Sequence, residues 1–232
     1  MTQKDTRPVF YAELSYVLGL IFISLATALM TVADFGLSMI SAPPYLLHLK
    51  LSEYLPFFSF GMASYAFQAV LLIVMILLVR RFRISYLFSF VTAVLYGLIL
   101  DASLFFVSMI PTETIVVRIV LYILGVLVCS MGVALMFRSY ISPAVFELFV
   151  KEVANHFKIP VSRFKTAYDC TSCVLSIILS FSFYGFLHFE GIHVGTVICA
   201  LVNGTLIGII GKWLDKRFRF ADGLPLRRWF ER

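Results

Sequence analysis

Long polar stretches are missing from this chain. Only 14% of its 232 residues are charged, 61% are hydrophobic, and the mean hydropathy is +0.96. A soluble domain is about half apolar, so the composition excludes an ordinary water-soluble fold and points to a membrane protein. Segments alternating polar and apolar residues, the mark of a spanning barrel wall, are also absent, which leaves helices. Cysteine is scarce. Cys129, Cys170, Cys173 and Cys199 all fall inside apolar segments, where a thiol acts as a small packing group, and no disulfide framework is expected. The chain contains no HExxH zinc motif, no G-x-S-x-G nucleophile elbow and no phosphate-binding G-x-x-x-x-G-K-[ST]. It is therefore read as a non-enzyme with no catalytic residues, no metal and no cofactor, and ATP-driven work by this chain alone is not expected.

What the chain does have is a series of nearly uncharged runs long enough to span, since about 20 helical residues cross about 30 Å of hydrocarbon. Six spans are expected, at about 16–33, 60–79, 84–110, 114–137, 166–187 and 193–213. The first follows Met1–Phe10 too extensively to be a cleaved signal peptide and is read as an uncleaved span. Between spans one and two, residues 38–59 hold Pro43-Pro44, His48, Lys50, Glu53 and Pro56. That segment is too broken to cross and reads as a short interfacial or re-entrant element. Residues 142–158 start with Ser-Pro and carry Val145, Phe146, Phe149, Val150, Val153 and Phe157 at helical spacing. They predict an amphipathic helix lying on the membrane or on the bundle.

The formal charge of +6 lies between the spans, so it argues for a lipid bilayer as the partner and against nucleic acid. With the N-terminus in the cytoplasm, only Lys50 and Arg118 fall outside, while Arg80, Arg81, Arg83, Arg138, Lys151, Lys158, Arg163, Lys165 and the basic tail at 214–232 fall inside. This places both termini in the cytoplasm of a multi-pass protein of the bacterial inner membrane. The aromatic, basic tail reads as an interface anchor.

Leu18–Met30 (LGLIFISLATALM) and Leu124–Met136 (LGVLVCSMGVALM) match at Leu18/Leu124, Gly19/Gly125, Ser24/Ser130, Ala28/Ala134, Leu29/Leu135 and Met30/Met136. Near the same offset Tyr65 falls on Tyr168, and Gly97–Asp101 (GLILD) falls on Gly204–Gly208 (GTLIG). The pattern is that of a duplication. Each copy, 11–110 and 114–213, holds three spans with a short segment after the first; three is odd, so the second copy enters the membrane upside down. Such inverted repeats are a common construction of secondary transporters, with a site near mid-membrane at the repeat interface.

The glycine pattern of Gly97–Asp101, Gly195-Thr196, Gly204 and Gly208 resembles that of the bacterial YczE/YyaS/YitT-like integral membrane proteins, an uncharacterised family. The resemblance covers nearly the whole chain and implies an architecture without assigning site residues. The first half departs from it, with Leu87-Phe88 in place of Gly195-Thr196 and Ser41-Ala42-Pro43-Pro44 in place of a plain Ser-Pro.

An ionisable or amide side chain within a span is a functional candidate because its burial is costly. Asp101, one turn after Gly97 and opposite Gly208 in the duplication, leads, with Gln68 and Asn203 near mid-depth. Asp169 heads a polar stripe with Cys173, Ser176 and Ser180. Thr171 stands near the Gln68 position of the other half. Thr92 and Tyr96, with Ser85 and Ser89, share a face of span three directed away from Asp101. These residues are the substrate- or ion-binding candidates; solvation, helix-to-helix bonding and close packing are the structural alternatives. Asp34 closes span one near the outer surface. Gly191-x-x-x-Gly195 and Gly204-x-x-x-Gly208 read as packing motifs. Cys170-x-x-Cys173 lacks further ligands, and His188, Glu190 and His193 form a short cluster that only weakly suggests an ion.

The expected function is transport of an unidentified small solute or ion. Two alternatives stand beside it: a substrate-binding subunit of an ATPase-driven importer, and a non-transporting assembly or regulatory protein. Oligomer formation is not decided by the sequence.

Overall fold

The computed structural model describes residues 7–185 and 194–224. Helices α1 (Ala12–Ala33), α2 (Ala42–Ser52), α3 (Phe60–Val79) and α4 (Ile84–Val107) are followed by α5 (Ile115–Met136), α6 (Val145–His156), α7 (Val161–Tyr184) and α8 (Val194–Arg217). The order long, short, long, long thus occurs twice. The boundaries have local causes. Ser59 caps α3 by accepting from Met62 N at 3.1 Å, and Arg80 ends it in the left-handed region at φ 53°. Pro43 and Pro44 fall in the first turn of α2, where a missing N–H costs nothing. Pro160 precedes α7, and Gly185 closes it at φ 84°.

Helices α1, α3, α4, α5 and α7 are long and apolar enough to cross a membrane, and the chain is a polytopic helical membrane protein. Expected spans one to five coincide with them within a few residues. The sixth coincides with α8, although its expected first residue, His193, lies outside the described residues. The lipid-compatible side is evident in the exposed ridges Val70, Ile73 and Leu77 on α3 and Val116, Val120 and Ile123 on α5. So much contiguous exposed apolar surface is foreign to a soluble monomer. Polar side chains point the other way: Ser15, Ser24, Gln68, Ser89, Thr92, Ser130 and Ser176 are all buried.

Since lipid tails are as apolar as leucine, burial of apolar surface does not by itself hold such helices together; close packing and interhelical bonds do. The central seam is α1 against α5. A Cβ on Gly19 would meet Gly132 O at 3.0 Å, and one on Gly132 would meet Gly19 O at 3.0 Å. Ser15 donates to Leu135 O, while Gly125 lies against Ala26 and Met30. Residue numbers rise along one helix as they fall along the other, so α1 and α5 are antiparallel. By contrast α8 runs parallel to α5. Tyr122 donates to Gly195 O, Ser130 to Asn203 Oδ1 and Arg138 to Gly211 O, three bonds eight residues apart on both helices. Helix α4 likewise runs along α1, through Tyr16 with Thr92 and Ser24 with Tyr96.

Four details add to or depart from expectation. First, residues 9–11 and 219–221 form two short parallel strands, β1 and β2, beside the helices of the expected helical fold. They form because the tail folds back: Phe10 packs on Phe218 and Phe220, and the Glu13 carboxylate accepts from Gly223 N and Leu224 N. The tail through residue 224 is thus docked on the N-terminal segment. Second, of its two expected placements, the membrane surface or the bundle, α6 takes the bundle, with Lys151 and Asn155 on its exposed side. It buries Val145, Leu148, Phe149 and Val153 against Leu72 and Met75 of α3 and Tyr86 and Ala93 of α4. Third, its apolar face stops short of Phe157, which follows the last helical turn and is exposed. Fourth, no described residue packs on Gly204 or Gly208 as the motif reading expected: among the described residues a Cβ on either would meet nothing within 4 Å.

Candidate functional site

The two short helices begin at the centre of the bundle. Ser38, Ile40 and Ser41 lead into α2, and Ala144, Phe146 and Glu147 open α6; all six line one cavity of about 270 Å³. The wall is completed by Leu20, Ile23 and Thr27 of α1, Tyr96 of α4, Cys129, Val133 and Met136 of α5, Lys165 of α7, and Asn203, Gly204 and Ile207 of α8. Both halves of the chain contribute, and apolar groups make up most of the lining. An apolar pocket with a few convergent polar groups is the usual form of a small-molecule site.

Those polar groups are held in place. Tyr96 Oη lies 3.0 Å from Thr27 Oγ1, and Asn203 Oδ1 accepts from Ser130 Oγ at 2.8 Å. Lys165 Nζ lies 3.4 Å from Asp169 Oδ1, one turn further along α7. Glu147 occupies the third position of α6, where a carboxylate faces the positive end of the helix. No described ion pair engages it, and burial pushes its carboxyl above the ordinary range even though Lys165 pulls the other way. A second, polar crevice of about 590 Å³ runs alongside α6, lined by Arg83, Arg138, Tyr140, Lys151, Glu152 and Asp222 among others; Phe137 lines both spaces.

Of the residues singled out in the sequence, Tyr96 and Asn203 line the cavity. Gln68 and Thr92 stand behind it and fix α6. Gln68 Oε1 accepts from Val145 N at 3.1 Å, satisfying one N–H that the helix leaves open, while its Nε2 is buried without a partner. Thr92 Oγ1 lies 2.7 Å from Tyr16 Oη and 3.2 Å from Ser142 O. Asp169 reaches the cavity only through Lys165.

Asp101 lies elsewhere. Its carboxylate accepts from Gly61 N at 2.7 Å and from Ser59 Oγ, latching α4 to the start of α3. Thr171 is exposed and donates to Ala167 O of its own helix. Asp34 pairs with Arg118 at 2.8 Å. Cys170 and Cys173 are free thiols. The cluster of His188, Glu190 and His193, and Gly191, lie outside the described residues.

Sequence reasoning missed Glu147, Lys165, Thr27, Ser41 and Cys129. It also passed over Tyr16 and Tyr122, although Tyr-x-Leu-Gly precedes both copies of the repeated stretch. These two tyrosines bond to α4 and α8 respectively.

Residues 10–212 match the model of a family of unknown function, DUF6198, and the chain belongs to that family. No curated protein and no solved structure matches it.

Proposed function

We propose that this protein is a secondary transporter of a small solute or ion. In this reading α8 is the sixth span, both termini face the cytoplasm of a bacterial inner membrane, and the two halves are inverted repeats around the central cavity. It also takes the family of unknown function as akin to the YczE/YyaS/YitT-like proteins. The work done is translocation across the bilayer rather than catalysis.

The observation that carries the reading is the cavity walled by both halves, with the start of a short helix from each opening into it. Irregular backbone and half-helices at membrane depth are tolerated where they line such a space, and they supply oriented dipoles there. Two further features support it. The duplicated Ser24 and Ser130 make corresponding contacts, to Tyr96 on α4 and to Asn203 on α8. The first helices of the two halves run antiparallel, as inversion requires. The halves also differ where alternation needs them to differ. Gly97 is pressed against Gly61 O, whereas its counterpart Gly204 faces open space. A device that opens to one side at a time has one half closed and the other open in any single state.

The test uses single cysteines at Thr27, Asn203 and Gly204 in a chain whose four native cysteines are replaced, labelled from each side of native membranes. Labelling of the same position from both sides is the expected result. Protection from both sides at every position would mean a sealed bundle and would end the transport reading.

A further inference from the structure

Among the described residues, the charges at and beside the cavity wall do not balance when the carboxylates are ionised. Glu147 and Lys165 both line it, and Lys165 is drawn toward Asp169, 3.4 Å away. Among the described residues, two carboxylates, when ionised, and one ammonium leave one negative charge at this end, whichever carboxylate the ammonium favours. The described groups near Glu147 do not cancel it: Tyr96 on α4, Cys129 on α5 and Tyr168 on α7 offer hydroxyls and a thiol, while Lys165 and Asp169 are already counted. On the other elements packed against α6, Tyr65 of α3 joins its apolar cluster and Tyr86 of α4 donates to Glu152. Arg83 and Glu152 pair with each other at the far end of α6, outside the cavity. A buried carboxylate without a full counter-charge is costly, and a cation or a proton relieves it.

The rest of the wall selects among cations. Leu20, Ile23, Val133, Met136 and Ile207 offer no ligands to a bare metal ion, and among the described residues there is no cluster of three His, Cys, Asp or Glu side chains. A hard cation needs six or more oxygen ligands. The aromatic rings of Tyr96, Phe137 and Phe146 in the same wall suit an organic cation, whose charge is attracted to ring faces. About 270 Å³ lies just below the range of drug-sized pockets, about 300–1,000 Å³, so the occupant is small.

We propose that the cavity binds small monovalent organic cations with an apolar body, such as arylalkyl ammonium ions, with Glu147 as the counter-ion and a proton competing for the same carboxylate. The proposal rests on the transporter reading, for which it names the substrate class and the coupling ion. Cation and proton cannot both occupy Glu147, so the two exchange.

The experiment measures equilibrium binding of phenethylammonium to the full chain in lipid nanodiscs from about pH 5 to about pH 8, beside 3-phenylpropionate and phenethyl alcohol, which carry the same body with negative and no charge. Expected is saturable binding of the amine alone. It weakens as pH falls, by up to about tenfold per unit once the carboxyl is protonated. It is weakened at least about tenfold in Glu147→Gln and is unchanged in Glu152→Gln, the other α6 carboxylate. The comparison of the three probes and the pH profile need no variant, so a misfolded Glu147→Gln leaves the test intact. Binding of phenylpropionate in preference to the amine, equal binding of the alcohol, absence of amine binding, or a pH-independent affinity would each overturn the proposal. Amine binding without flux in proteoliposomes would instead remove the transporter reading and leave the site; flux of another solute without amine binding would do the reverse.

Discussion

Gly97 and Gly204 align in the proposed duplication, yet their described surroundings are opposite, and alanine at each should act in opposite directions. At position 97 a Cβ would stand 2.7 Å from Gly61 O and 3.0 Å from Tyr65 Cδ1. Carbon contacts are comfortable from about 3.4 Å, so α3 and α4 must part by about 0.7 Å. That movement strains the 2.7 Å bond from Gly61 N to Asp101, since both belong to the same contact. Overpacking of this kind costs about 1–3 kcal/mol, against about 1 kcal/mol gained by alanine over glycine in a helix. At position 204 nothing among the described residues lies within 4 Å, and only the gain remains. With a shift of about 2–4 °C per kcal/mol for a chain of this size, Gly97→Ala should lower the apparent Tm by a few degrees and Gly204→Ala should raise it by about 2–4 °C. The assay is thermal unfolding of purified protein in one detergent at one scan rate, because unfolding of such proteins is commonly irreversible. Equal shifts of the same sign at the two positions would refute the asymmetry of the halves.

The Asp101 latch predicts that Asp101→Ala destabilises the fold, leaving Gly61 N and Ser59 Oγ without their acceptor at a cost of about 1–3 kcal/mol, while amine binding in the folded fraction keeps its affinity; a large loss of affinity would return Asp101 to the site. Gln68→Leu should leave the Val145 N–H unpaired and lower stability by about 1–3 kcal/mol, read as a fall in apparent Tm, and an unchanged Tm would count against that bond. Arg138 bonds both Asp215 oxygens at 2.7 Å and holds that carboxyl below its usual range. A depressed acid stabilises above its unfolded pKa and loses that contribution as pH falls through its folded one. The Tm difference between wild type and Arg138→Ala should therefore shrink in acid, and a difference that grows instead would contradict the pairing. Glu13→Gln should loosen the hold on Gly223 and Leu224, seen as faster proteolytic trimming of the C-terminal tail; an unchanged cleavage rate would show that the aromatic contacts suffice.

The spans were legible because crossing a bilayer is a one-dimensional requirement. A run of apolar residues needs no partner to be recognised, and a charge such as Arg80 marks an end whatever packs nearby. The proposed duplication rests on a related kind of signal: Gly19, Ser24 and Met30 recur at a fixed offset, and such recurrence needs no coordinates. The site was legible only in pieces. Tyr96 and Asn203 were found because polar groups at mid-span are conspicuous, but Asp101 was as conspicuous and serves as a latch. Glu147 escaped because a glutamate in the first turn of an amphipathic helix is unremarkable until that helix is buried, and the hydrophobic spacing of α6 is the same on a membrane surface as inside a bundle. Which helices touch depends on how small residues such as Gly19 and Gly132 let backbones approach, and the register of α8 on α5 depends on three bonds between residues more than 70 positions apart. Hydropathy therefore marked which helices are long and apolar enough to enter a membrane. The convergence of the two short helices, and the lone carboxylate they bring to the centre, came from packing between distant segments, which no local pattern encodes.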